Sequence, residues 1–183
     1  MFTPHPNNPE VRRNSGWAGL SFLAWLTASS LLTLETHGQS QSSLILSEFL
    51  GSNRTGLVDD HGDASDWIEI WNATAQPLTT EHHYLTDDID VPDKWALPAF
   101  VIPSGGYRII FASGKNQNHS PDALHTNFRL SRDEGSFLAL TQKTEAGVQV
   151  LTAYPSYPRQ YPDRSYGWSD TGPTYFQQPS PGG

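Results

Sequence analysis

The chain has 183 residues, enough for one domain of ordinary size. A formal net charge of −8, from 11 Lys and Arg against 19 Asp and Glu, leaves no basic footprint for nucleic acid or an anionic membrane surface. There is no cysteine, which excludes disulfides, zinc–thiolate sites, a Cys nucleophile and a lipoprotein anchor.

Glycine (15) and proline (14) are frequent enough to favour short strands and turns over long helices. Residues 1–38 read as a signal peptide: Arg12-Arg13, then an uncharged apolar run from Gly16 to Leu34, then a polar exit. Small residues around Thr36-His37-Gly38 place cleavage before Gln39, with a second frame before Gln41. The rival reading is an uncleaved membrane anchor, because a run of about 19 residues just spans a bilayer.

Residues 39–43 form a polar lead-in. Leu44–Leu50 reads as a mostly buried strand, followed by a turn over Gly51–Gly56. An acidic, glycine-containing loop (Asp59-Asp60-His61-Gly62-Asp63-Ala64-Ser65-Asp66) then leads into a strand over Trp67–Asn72. Strand alternation puts Trp67, Glu69 and Trp71 on one face and Ile68 and Ile70 on the other.

Short strands are expected over 84–86 and, between prolines, over 94–98 and 100–103. Ser104-Gly105-Gly106 carries a hairpin signal, and Tyr107–Ala112 is a strong strand. His125–Leu130 is a further strand candidate. A hairpin is expected through Glu145-Ala146-Gly147, joining 136–141 to 148–151. Arg164–Trp168 reads as a last edge strand, and residues 171–183 as a Pro/Gly/Gln linker-like tail. Short strands with turn signals at near-regular spacing give an all-β, antiparallel sandwich.

The order of these pieces resembles the lamin-tail domain family, in its bacterial exported type. The resemblance is carried by Ile45-Leu46-Ser47-Glu48-Phe49, Asp63–Asn72, Tyr84-Leu85-Thr86-Asp87-Asp88, Lys94–Pro98, Ile102–Tyr107, Phe111–Lys115, Leu124–Ser131 and Asp163-Arg164-Ser165-Tyr166-Gly167. It covers residues 44–170. It implies an immunoglobulin-like antiparallel β-sandwich, exported, secreted or held at the cell surface, with no catalytic residues. It implies an interaction, adhesion or positioning role toward a protein or a cell-surface glycan, with no membrane contact once the signal is cleaved. A further alternative is the N-terminal piece of a larger extracellular enzyme or spore-coat-like protein. No heptad run supports a filament role.

The sequence offers two candidate sites. Asp59, Asp60, Asp63 and Asp66 supply hard oxygen ligands for Ca²⁺, with Gly62 for the turn; no other cofactor is implied. The spacing is not that of an EF-hand, and the competing reading is an Asx-turn whose carboxylates cap loop amides. Asp87, Asp88 and Asp90 form a second acidic cluster. Trp67, Glu69 and Trp71 share a strand face and are the candidate ligand-binding surface for a sugar ring, against a packing role. His125 reads as a hydrogen-bonded structural imidazole. His82-His83 are adjacent and face opposite ways in a strand, so they cannot simply chelate one ion.

Overall fold

The computed structural model describes residues 44–183, so the leader and its expected cleavage site lie outside the described residues. Among the described residues there is no helix, and all named strands pair antiparallel. The strands are β1 (Leu44–Leu50), β2 (Trp67–Asn72), β3 (Leu78–Thr79), β4 (His83–Thr86), β5 (Trp95–Ala96), β6 (Val101–Ile102), β7 (Tyr107–Phe111), β8 (Ser136–Thr144), β9 (Gly147–Tyr157), β10 (Ser165–Ser169) and β11 (Gly172–Phe176). They form a five-stranded sheet in the order β11-β10-β1-β2-β7, a four-stranded sheet in the order β5-β4-β8-β9, and the small pair β3-β6.

The two larger sheets share one core, as expected of a sandwich. Leu46, Phe49, Ile68, Ile70 and Ile110 come from the first sheet. Leu85, Leu138, Leu140, Tyr154 and Tyr157 come from the second. Phe49 is the hinge of this packing, with ring centroids 5.1 Å from Tyr154 and 4.9 Å from Tyr157. The tyrosine hydroxyls are satisfied inside: Tyr154 donates to the carbonyl of Leu46 (3.2 Å) and Tyr157 to that of Ser131 (3.1 Å).

β1 carries a bulge. Leu46 pairs with Ile70 but Glu48 pairs with Glu69, so Ser47 is the extra residue. The bulge keeps Leu46 and Phe49 on the core side and sets Glu48 beside Glu69 on the outer side. Gly167 of β10 lies so close to this bulge that an added Cβ would sit 2.5 Å from the Ser47 carbonyl oxygen. Only glycine lets β10 approach β1 there.

Several sequence expectations change. His125–Leu130 is not a strand; His125 and Arg129 make only isolated bridges. Gly105 (φ 67°) turns the chain between sheets, from β6 into β7, and closes no hairpin. β10 is not the edge: it pairs with β1 on one side and β11 on the other. The tail read as linker is ordered structure. β11 takes the edge position, where Pro173 needs no inward N–H partner.

The end of the tail folds over the outer face of β1 and β2. Ser180 donates from its amide (3.1 Å) and hydroxyl (2.7 Å) to Glu48. The amide of Gly182 donates to Glu69 Oε2 at 2.6 Å, and the Ser47 hydroxyl to Oε1 at 2.6 Å. Polar composition failed to reveal this because two of the three bonds that dock the tail come from backbone amides, which every sequence carries.

Candidate functional site

The acidic loop between β1 and β2 lies against the segment that follows β7. Asp59 organises the loop from within. Its Oδ1 accepts the amides of His61 and Asp63, both at 3.0 Å, as an Asx-turn does. Gly62, at φ 82°, makes the reversal. Asp59 Oδ2 accepts the Ser65 hydroxyl at 2.7 Å and the Lys115 ammonium at 2.6 Å. Lys115 also reaches Asp63 at 2.9 Å. Asp66 turns away, its Oδ1 accepting the amide of Asn53 at 2.9 Å.

The four carboxylates therefore do not form the expected Ca²⁺ cage. Asp59 and Asp63 close on a cation the chain itself supplies, Lys115. Asp66 faces a different partner, and Asp60 is held by a histidine. Burial alone would raise the Asp59 pKa. The bonds from Lys115, Ser65 and the two amides outweigh it and hold the carboxyl well below the usual range. Burial likewise opposes the Lys115 charge, but the bonds to Asp59 and Asp63 win and raise its pKa. Burial raises the Asp66 pKa. The second acidic cluster does not join: Asp87 pairs with Lys94 at 2.7 Å, and Asp88 accepts the amide of Asp90 at 3.0 Å.

Beneath the loop runs a line of Ser113, His125 and Asp60. The Ser113 hydroxyl lies 2.9 Å from His125 Nδ1, and His125 Nε2 lies 2.6 Å from Asp60 Oδ1. The carboxylate can only accept, so Nε2 carries the hydrogen, and in the neutral ring Nδ1 then accepts from Ser113. The bond from His125 is the main cause of the lowered Asp60 pKa. These are the residue types of a serine hydrolase, with the ring reversed: there the serine meets Nε2 and the carboxylate Nδ1. Ser113 is 4% exposed and His125 0%, so the hydroxyl is closed to a substrate as the chain stands. His125 also stacks on Phe111, ring centroids 5.5 Å apart. Both ring nitrogens of His125 have the hydrogen-bond partners expected from the sequence.

One group of side chains brings metal-ligand atoms together. Ligand atoms of Asp60, His61 and His125 all lie within 4.8 Å of one another. His61 Nε2 sits 3.8 Å from Asp60 Oδ2 and 3.0 Å from Gln117 Oε1. Sequence reading missed this group because His61 and His125 are far apart in the chain and neither stands in a ligand motif.

The expected sugar-stacking face is covered. Trp67 is 1% exposed and Glu69 2%, and only Trp71 is half-buried, stacked on Tyr107 at 5.9 Å and 13°. All three do share the outer face of β2, but the chain's own tail occupies it. Burial, followed by the neighbouring Glu48 charge, raises the Glu69 pKa against the bonds from Ser47 and Gly182.

An open cleft of about 330 Å³ lies elsewhere, lined by Ser52, Arg54, Arg132, Arg159, Gln160 and Tyr161. Three loops meet there and are tied by backbone bonds: Gln160 N–H to the Arg132 carbonyl and Asp163 N–H to the Ser52 carbonyl, both 2.9 Å. Asp163 (φ 54°) accepts the amides of Arg54 and Thr55 at 2.6 and 2.9 Å, which lowers its pKa. Among the described residues, no carboxylate forms an ion pair with Arg54, Arg132 or Arg159. No basic run in the sequence announced this cleft.

The chain matches no protein-family model, no curated protein and no solved structure.

Proposed function

We propose that the chain is a non-enzymatic, exported interaction module of the lamin-tail type, serving adhesion or positioning outside the cytoplasm. The observation that carries this reading is the arginine cleft: three arginines with no close ion pair among the described residues line one concavity in a chain of net charge −8. Planar forks of this kind suit carboxylate, sulfate or phosphate groups on a partner. Two further features support it. The Ser113–His125–Asp60 line is consumed internally, and the motif order of residues 44–170 agrees with an antiparallel sandwich.

A second reading, an acidic glycan as the partner, is favoured by Tyr161, which lines the cleft and is 43% exposed, so its ring is open to a sugar face. Retention of the full chain on columns of sulfated dextran, polygalacturonate, polyglutamate and neutral dextran tests both readings. Salt-sensitive retention on the anionic columns, lost in the triple variant R54A/R132A/R159A, is the expected result. Retention unchanged by that variant counts against the cleft. Equal retention on polyglutamate and polygalacturonate counts against the glycan.

A further inference from the structure

We infer that Asp60, His61 and His125 form a binding site for a divalent transition-metal ion of the zinc type. Two imidazole nitrogens and one carboxylate oxygen are the donor set that zinc takes when three protein groups bind it and a fourth position stays open. Zinc bonds to nitrogen and oxygen of about 2.0–2.1 Å put neighbouring ligand atoms roughly 3.3 Å apart. Here His125 Nε2 lies 2.6 Å from Asp60 Oδ1 and His61 Nε2 3.8 Å from Asp60 Oδ2, and one ligand atom from each of the three residues lies within 4.8 Å of the others. His61 and Asp60 are exposed loop residues, so a small loop adjustment brings the set onto one centre.

Three features beyond the ligands point the same way. His125 is held in place from its far side: Ser113 Oγ lies 2.9 Å from Nδ1, the outer-shell partner that ligating histidines almost always have. On binding, the ring hydrogen moves from Nε2 to Nδ1, where Ser113 Oγ accepts it, and Nε2 is released to the ion. Gln117 Oε1, 3.0 Å from His61 Nε2, accepts its ring hydrogen and so orients the His61 ring; that hydrogen passes to Nδ1 when Nε2 binds the ion. The surrounding charge also suits a dication: Asp59 and Asp63 share one ammonium (Lys115), and Asp60 adds a third carboxylate, beside His125. Two nitrogen ligands set this site apart from a hard-oxygen Ca²⁺ cage and favour a borderline ion.

The test is calorimetric titration of ZnCl₂ into the full chain after chelator treatment, with CaCl₂ and MgCl₂ in parallel. The expected result is one zinc per chain, no heat from calcium or magnesium, and a melting temperature raised by zinc. His61→Ala removes a surface ligand without touching the core. It should melt like the parent without metal, bind zinc at least about 100-fold more weakly, and gain no melting shift. Ser113→Ala, removing only the outer partner, should weaken zinc by roughly 10-fold. Three outcomes overturn the inference: no zinc heat, zinc binding unchanged in His61→Ala, or calcium bound as tightly as zinc.

Discussion

Lys115 is the residue on which the acidic loop depends. Its ammonium lies between Asp59, whose side chain is fully buried, and Asp63. Replacing it with methionine keeps the apolar stem but leaves the Asp59 charge without its cation. Breaking such a pair from one side costs about 3 kcal/mol. Urea unfolding of Lys115→Met should show a loss of that order, and a loss under about 1 kcal/mol would mean the pair is merely a surface contact. The sign of the pH dependence follows from the same geometry. The Asp59 pKa is lowered in the folded chain, so its contribution is present above the ordinary aspartate range. It fades as pH falls toward the folded value. Asp60 and Asp163 act in the same direction.

Glu69 works the other way, and its effect is a property of the element that covers it. The tail beyond β11 buries Glu69 and Glu48 side by side on the outer face of β1 and β2. The Glu69 pKa is raised, so the folded chain holds the proton that the unfolded chain gives up. Stability contributed by this group is present below the ordinary glutamate value and is lost as pH rises through the raised one. Melting curves of the parent should therefore carry a downward slope with pH between the ordinary glutamate value and the raised one, and Glu69→Gln should flatten it. An identical slope in the variant would show that Glu69 does not titrate in this window. The amide offers one acceptor where the carboxylate offers two, so a constant offset between the two curves is expected as well.

At the scale of the whole molecule, the sequence carried the sandwich and hid most of its chemistry. β1 and β2 were legible to the residue because Leu44, Leu46, Ile68 and Ile70 keep a core-facing period. The alternation also set Trp67, Glu69 and Trp71 on one face correctly. It could not show that the tail lies over that face, since backbone amides of Ser180 and Gly182 do the docking. The Asx-turn at Asp59 was among the readings the loop composition allowed. The Lys115 clamp was not, because no local pattern reports a cation 56 positions away. Ser113, His125 and Asp60 converge only once β7 and the bridge segment fold onto the loop. The arginine cleft likewise gathers Arg54, Arg132 and Arg159 from three separate loops.

The account rests on the Ser113–His125–Asp60 line being internal bracing in a binding module, with no nucleophile among its members. Incubation with diisopropyl fluorophosphate followed by intact-mass and peptide mass spectrometry tests this directly. The account predicts an unmodified Ser113, in the metal-free and the zinc-loaded protein alike. A phosphoryl adduct on Ser113 would contradict it and place the chain among nucleophilic hydrolases.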